Sequence, residues 1–426
     1  MERPKNSPRG TYDLIFPLSA NWSVVENTVR NYLSKAGFQE IRTPVFESTE
    51  IFARSAGESS DIVNKEMYTF TDKSDRSLTL RPEGTAGVVR AFLSNGLDRR
   101  PKPLRLWYLG SMFRYERSQT GRYRQFNQLG LEVFGSNTPQ TDFENIYLAW
   151  NLLKKLGIIN LKLEINSVGD NSSRAEYQKA MRQFLENHIE NICPDCQNRL
   201  KTNPLRALDC KVPSDQALYQ AEAPKITNYL NEESKNHQAK LIELLENFDI
   251  PFSLNLALVR GLDYYTKTVF EIKSEDERLS GQNTICAGGR YDNLVKEFGG
   301  QETPAFGWAL GMERLMLLMQ NNESKHLLDS FVIYPKNQYK KAFDFCEKLR
   351  NTKNLKVISE GFESNSQQNK IYKRAEEIGV KSIILYLTES PFEVQIRSPK
   401  EQNFVKSMDY STENDFFSQE QFLLNS

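Results

Sequence analysis

Leu104-Arg105-Leu106-Trp107-Tyr108-Leu109-Gly110-Ser111-Met112-Phe113-Arg114, then a polar run from Tyr115 to Gln125, then Phe126-Asn127-Gln128-Leu129-Gly130-Leu131-Glu132-Val133-Phe134, reads as two strands of one hairpin. Side chains alternate along a strand, so Phe126, Gln128, Gly130, Glu132 and Phe134 share a face. On that face Gln128 and Glu132 flank a bare glycine. The pattern leaves space for a ligand over Gly130 and sets a neutral amide beside a carboxylate, a combination suited to an ammonium and a polar side chain. A solvated polar face with a bulge at Gly130 would read the same way. Arg114 closes the first strand, with Glu116 two residues on. A guanidinium there can grip a phosphate or carboxylate through two parallel bonds, although an Arg and Glu pair is also an ordinary surface ion pair.

Outward from the hairpin, Trp22, Val25, Val29, Tyr32 and Leu33 recur at helical spacing between Asn21 and Ala36, and Gly37 is a natural stop. From Phe38 the chain reads as extended, with Pro44 suited to a sheet edge or an interface because it has no ladder donor. Residues from about 170 to 250 are polar with helical periodicity, including Arg174 to His188 and Gln238 to Phe248, and form a mostly helical insertion. Past Asp329 the pattern becomes strand (Phe331 to Tyr334), helix (Tyr339 to Leu349) and, later, strand again (Ser382 to Leu387), which places a small α/β domain at 329–426. Ser364 to Asn369 reads as a short low-complexity stretch.

The chain has 426 residues, enough for two or three domains, with 39% hydrophobic and 26% charged residues. That composition excludes disordered, fibrous and membrane classes. Met1 to Gly10 lacks the apolar run of a signal peptide and no uninterrupted apolar stretch is long enough to span a bilayer, so a cytoplasmic location is expected. Five cysteines point to a reducing compartment and not to a disulfide framework. Basic and acidic residues balance at 55 each, so any polyanion must be held by local basic surfaces.

Phe113-Arg114-Tyr115-Glu116-Arg117 through Gly121-Arg122-Tyr123-Arg124-Gln125-Phe126 resembles motif 2 of the class II aminoacyl-tRNA synthetases, whose arginine holds the ATP α-phosphate. Gly307-Trp308-Ala309-Leu310-Gly311-Met312-Glu313-Arg314, leading into Leu315 to Met319, is similar to motif 3, and Gly37 to Glu47 sits where the dimer-forming motif 1 belongs. Two longer strings, Leu258-Val259-Arg260-Gly261-Leu262-Asp263-Tyr264-Tyr265 and Ala287-Gly288-Gly289-Arg290-Tyr291-Asp292, resemble the two signatures of the histidyl-tRNA synthetases. Leu80-Arg81-Pro82-Glu83-Gly84-Thr85-Ala86 is similar to the same family. Paired tyrosines alone would suggest packing, and Gly288-Gly289 alone a turn.

The resemblance covers nearly the whole chain. It implies an α+β class II catalytic domain on an antiparallel sheet at residues 1–325, carrying the helical insertion, and a C-terminal α/β anticodon-binding-like domain at 329–426. It implies a ligase that joins L-histidine to ATP as histidyl-adenylate and then transfers the acyl group to the 3′ end of tRNA(His), with Mg²⁺ on the outer phosphates, no organic cofactor, no membrane and a homodimer. Carried over residue by residue, Arg114 would bind the α-phosphate, Glu116 the adenine end, Arg314 the γ-phosphate, and Phe126 would stack on adenine. Arg260 would bridge carboxylate and α-phosphate. Glu83, Thr85, Gln128 and Glu132 would hold the histidine amino group and ring, with Tyr264, Tyr265 and Tyr291 about the imidazole. Arg117, Arg122 and Arg124 would meet the acceptor end of the tRNA, and Lys370 to Ala375 suits an anticodon-facing surface.

Cys193-Pro194-Asp195-Cys196 with Cys210 invites a zinc reading, but a tetrahedral site needs four ligands and no fourth Cys or His stands at suitable spacing beyond the neighbour His188. No metal site is therefore expected, and these cysteines read as packing of the insertion. Among other functions, a regulatory, non-catalytic paralogue would lack the Arg260 signature and the C-terminal domain. A class II ligase for proline, threonine or glycine would share Arg114 and Arg314 without the Arg260 and Gly288 strings. An RNA-binding module has no use for the ATP arginines.

Overall fold

The computed structural model describes residues 6–56, 62–259, 264–279, 281, 283–319, 328–389, 392–397 and 406–410. The chain divides into two compact units, Met1–Asp13 with Val25–Asn321, and Leu14–Val24 with Asn322–Ser426.

The first unit is built on an eight-stranded sheet. α1 (Leu18–Lys35), which belongs to this unit from Val25 on, buries Val25, Val29 and Leu33, the apolar positions that its period predicts, and Gly37 follows at φ +81°, a left-handed conformation that ends the helix. β1 (Gln39–Glu40) then runs parallel to β5 at the sheet edge. β2 (Phe46–Ser48), β3 (Tyr68–Thr71) and β4 (Ser77–Leu80) make a separate small sheet in the order β2-β4-β3, flanked by α2 (Thr49–Ala56). α3 (Thr85–Ser94) buries Val88, Val89 and Phe92.

β5 (Leu104–Phe113) and β6 (Gln125–Phe134) form the expected hairpin, paired without a slip from Leu104 opposite Phe134 to Phe113 opposite Gln125. Gly130 carries no bulge. α4 (Pro139–Lys155) is capped by Thr138, and β7 (Leu161–Ser167) follows. The insertion contributes α5 (Asn171–Asn187), α6 (Pro194–Thr202), α7 (Pro213–Glu222) and α8 (Glu232–Asn247). The first three enclose a core of their own that includes Tyr177, Phe184, Cys196 and Tyr219, whereas α8 packs on α4. β8 (Phe252–Leu254), β9 (Thr266–Ser274), β10 (Thr284–Arg290), the short α9 (Leu294–Glu297), β11 (Ala305–Gly311) and α10 (Met312–Leu318) complete the unit. The strand order is β1-β5-β6-β11-β10-β9-β7-β8, and every pairing from β5 to β7 is antiparallel.

Gly288 and Gly289 stand inside β10 and not in a turn. A β-carbon at Gly288 would lie 2.2 Å from the Gly307 carbonyl oxygen, and one at Gly289 would lie 2.3 Å from the Thr268 carbonyl oxygen. Only glycine lets these three strands approach so closely.

The second unit carries β12 (Ser330–Pro335), α11 (Tyr339–Lys353), β13 (Val357–Phe362), α12 (Asn365–Ile378), β14 (Ser382–Glu389), β15 (Phe392–Arg397) and β16 (Lys406–Tyr410). Its sheet order is β13-β12-β14-β15-β16, parallel around β12 and antiparallel beyond β14. Phe345 and Leu349 of α11 pack in one core, Ile371 and Ala375 of α12 in another. Among the described residues, no helix is long and apolar enough to cross a membrane.

Candidate active site

A pocket opens over β6, β10 and β11, and it gathers residues from the motif 2 and motif 3 strings, the Glu83 string and both family signatures, but none from Gly37 to Glu47: Glu83, Thr85, Arg114, Glu116, Arg122, Phe126, Gln128, Tyr264, Tyr265, Tyr291 and Arg314. Arg260 lies outside the described residues.

One end of the pocket is cationic. Arg114 leaves the end of β5, its Nε donates to the Pro82 carbonyl at 2.8 Å, and its guanidinium lies 5.3 Å from the Phe126 ring centre. Arg314, in the first turn of α10, is held by donation to the Gly121 and Thr284 carbonyls at 3.2 and 2.8 Å. Burial and the neighbouring Arg122 and Arg114 guanidiniums lower its pKa, so the protein crowds like charges there and an anion would relieve them. Arg122 reaches Glu116 at 2.6 Å. Arg124 is occupied otherwise, its guanidinium 4.1 Å from the centre of the Tyr115 ring, and Arg117 stands exposed outside the pocket lining.

The other end is acidic and aromatic. Glu83 caps α3, accepting from the N–H groups of Thr85 at 2.6 Å and Ala86 at 2.9 Å; burial raises its carboxyl pKa. Glu132 is almost fully buried behind the lining, accepting from the Thr85 hydroxyl at 2.7 Å and from the Tyr291 hydroxyl. Desolvation pushes it up to about 8, against the lowering effect of those two hydroxyls. Tyr264 packs against Tyr265 and Tyr291, with ring centres 4.7 and 5.5 Å away. Gln128 turns its Oε1 inward with no hydrogen-bond partner among the described residues, an acceptor that a ligand can satisfy.

The space over Gly130 is filled by protein. Tyr108 sits directly across the hairpin from Gly130, and a β-carbon at Gly130 would lie 2.0 Å from its ring. Gly84 is bare for the same reason, with 2.2 Å to the ring. Tyr108 thus lies between two glycines and forms part of the pocket wall, a role that sequence reading missed although strand register pairs it with Gly130. Glu313 is the other omission: nearly buried, it accepts from the Asn127 N–H at 2.8 Å and from the Tyr12 hydroxyl at 3.1 Å, and burial raises its pKa.

Such an antiparallel sheet, with an arginine at the end of one hairpin strand and another opening the helix after the last strand, is the architecture of the class II aminoacyl-tRNA synthetases. The family model for histidyl-tRNA synthetase matches residues 10–315. The histidine–tRNA ligase of Macrococcus caseolyticus is 46% identical over 351 residues, 81% of this chain and 83% of that protein. That of Rippkaea orientalis is 49% identical over 344 residues, 80% of each chain. The structure of apo histidyl-tRNA synthetase from S. aureus aligns over 98% of this chain and all of that one, with a TM-score of 0.78 and 34% identity. The chain belongs to the histidyl-tRNA synthetase family. A Bacillus halodurans structure described as an ATP phosphoribosyltransferase regulatory subunit/histidyl-tRNA synthetase aligns over 91% of this chain with a TM-score of 0.65, but at 22% identity it speaks to the fold alone.

Proposed function

We propose that this chain is a histidine–tRNA ligase that condenses L-histidine with ATP to histidyl-adenylate and then esterifies the 3′ end of tRNA(His), releasing pyrophosphate and AMP. The observation that carries the reading is the polarity of the pocket: Glu83, Gln128 and the tyrosines at one end, Arg114 and Arg314 at the other. A ligand whose ammonium and ring lie at the first end and whose carboxylate points to the second matches that gradient.

In the adenylation step a histidine carboxylate oxygen attacks the α-phosphorus and the bond to pyrophosphate breaks. Two anions must approach each other, so positioning and charge neutralisation supply the acceleration. Arg114 would take the α-phosphate, Arg314 the γ-phosphate, Phe126 the adenine face and Glu116 its edge; Arg260 would bridge carboxylate and α-phosphate. Mg²⁺ would travel with the nucleotide, and Glu116 and Glu271, the two carboxylates near Arg314, are the hard oxygen donors such an ion takes. When bound it neutralises the outer phosphates. Glu83 would receive the ammonium, and Gln128, Tyr264 and Tyr265 the imidazole. Glu132 would act from behind, accepting from the Thr85 and Tyr291 hydroxyls and so fixing where they point. A site that satisfies buried polar groups only with the right side chain rejects others by about 10⁴-fold or more, so no editing domain is required.

For tRNA, residues 329–426 would meet the anticodon, with Lys370 and Lys373 exposed on α12, while Arg117, Arg122 and Arg124 would face the acceptor end above a catalytic domain spanning residues 1–325. Dimerisation through the region of Gly37 to Glu47 and a cytoplasmic location complete the reading; light scattering on the purified protein tests the dimer. The decisive experiment is ATP–pyrophosphate exchange across a panel of amino acids, with an Arg260→Ala variant alongside. Histidine-only exchange that collapses in the variant is expected. Exchange with another amino acid would overturn the substrate, and histidine binding without exchange would favour a regulatory role.

A further inference from the structure

The insertion holds a second cluster of reactive groups that ligase chemistry does not use. Cys193, Cys196, Cys210 and Asp215 each bring one ligand atom to a common point, all four within 4.8 Å of one another. Cys193 Sγ and Cys210 Sγ are 3.7 Å apart, and Cys210 Sγ is 3.6 Å from Asp215 Oδ2. Around a tetrahedral zinc ion with bonds of about 2.3 Å to sulfur and about 2.0–2.2 Å to oxygen, the edges are about 3.8 Å between sulfurs and about 3.5 Å from sulfur to oxygen. Two of the six edges of the cluster already match, and the other four are no longer than 4.8 Å. A disulfide would need its sulfurs at about 2.05 Å.

Counting only cysteine and histidine stops at three ligands. His188, the neighbour that spacing offers, is engaged elsewhere, with Nδ1 2.9 Å from the Phe184 carbonyl and Nε2 3.4 Å from Glu222. The fold supplies a carboxylate in its place. Asp215 is 1% exposed, and among the described residues no lysine, arginine or histidine pairs with it. Its contacts are the Cys193 N–H at 3.0 Å, the Ser214 hydroxyl at 3.3 Å and the Cys210 thiol. A buried carboxylate without a cation is costly, and a divalent ion would offset that cost.

The surroundings suit thiolate ligands. Cys193 is the N-cap of α6 and Cys196 lies in its first turn, while Asp215 lies in the first turn of α7, so two helix N-termini direct partial positive charge at the cluster. The Val212 N–H donates to Cys210 Sγ at 3.4 Å, an outer contact of the kind that orients a ligand. Three soft sulfurs select zinc over magnesium or calcium, and four protein ligands close the coordination sphere, as structural sites do. We infer that Cys193, Cys196, Cys210 and Asp215 form a structural zinc site that cross-links α6, α7 and the segment before α7 within the insertion. A helical insert with a small core gains most from such a staple.

The test uses the full chain, purified without a histidine tag or chelator. Elemental analysis is expected to find stoichiometric zinc; after chelation, added Co²⁺ is expected to give a thiolate-to-cobalt charge-transfer band and tetrahedral ligand-field bands that Zn²⁺ abolishes. Asp215→Asn keeps all five thiols and is expected to weaken zinc binding by about tenfold or more, and Cys210→Ser to lower the charge-transfer band at saturating cobalt by about a third, since one of three thiolates is lost. Wild-type protein that takes up neither metal under reducing conditions would overturn the inference, whether its five cysteines then titrate as free thiols or two of them are lost to a Cys193–Cys210 disulfide. Because the readouts are metal content and absorption, they stand apart from the exchange assay.

Discussion

Glu132 and Asp142 are both buried carboxylates of the same unit, and their surroundings push them in opposite directions. Glu132 has neutral hydroxyl partners, and its pKa is raised to about 8. Asp142 is desolvated as completely, but it pairs with Arg290 and with His237 Nε2 at 2.7 Å, and these hold it below the ordinary carboxylate range. Arg290 also reaches Asp292 at 3.0 Å and the Ser136 carbonyl at 2.8 Å. The paired cluster ties α4, β10 and α8 together, and so anchors the last helix of the insertion to the sheet. Where the fold has to be held, charge is matched within the protein; in the pocket wall the carboxyl has hydroxyl partners in place of a cation, and burial favours its neutral form.

The largest effect should follow from breaking the matched cluster. Arg290→Met leaves Asp142 buried with His237 alone and is expected to cost about 3–5 kcal/mol in denaturant unfolding, with Asp142→Asn added to it recovering part of the loss. A loss below about 1 kcal/mol would mean that the ion pair does not hold the unit. Next, Arg114→Ala should lower the pyrophosphate-exchange rate by about 10²–10³-fold with little change in stability; comparable losses in both would assign Arg114 to the fold. Glu132→Gln should raise KM for histidine by roughly 2–10-fold, the worth of about 0.5–1.5 kcal/mol for the one hydroxyl hydrogen bond that an amide no longer accepts.

The two carboxylates also predict opposite pH slopes. Glu132 has a raised folded pKa, so its contribution is fully present below the unfolded value near 4.5 and is lost as pH rises to about 8, at up to about 1.4 kcal/mol per pH unit. Asp142, with a lowered folded pKa, contributes above its unfolded value near 3.8 and loses that contribution as pH falls through the folded one. Unfolding curves of Glu132→Gln and Asp142→Asn against the wild type, from about pH 2 to 9, measure both, the Asp142 slope lying below its unfolded value; slopes of the same sign would erase the contrast. The smallest effect belongs to the exposed Lys370→Ala, which should leave exchange and stability within about 0.5 kcal/mol and reduce the salt slope of tRNA binding by about one. An unchanged salt slope would remove Lys370 from the tRNA surface.

Much of this molecule is legible one segment at a time. The hairpin strands and the α1 stripe follow from periods of two and 3.6, which local stereochemistry fixes. The polar run Ser364 to Asn369 is equally local, yet it is not a low-complexity stretch: it opens α12, Ser364 accepting from the Gln367 N–H at 3.4 Å and Gln367 Oε1 from the Glu363 N–H at 2.8 Å, a capping signal written in neighbouring residues. β13 and the antiparallel pair after β14 left weaker traces, because short strands in a mixed sheet lack a clean alternation.

By itself, then, the sequence determined the antiparallel hairpin, the helical insertion, the α/β pattern after Asp329 and the strings that carry the family resemblance, since each is written in neighbouring residues. Only the tertiary structure decided that Tyr108 fills the space over Gly130, that Arg290 meets Asp142 and His237, and that Asp215 joins three cysteines. Arg290 and Asp142 are 148 positions apart, His237 and Asp142 are 95 apart, and the carboxylate at 215 resembles any other surface aspartate until helix packing buries it. Burial makes an unmatched charge expensive, and no single segment reveals which charges will be buried together.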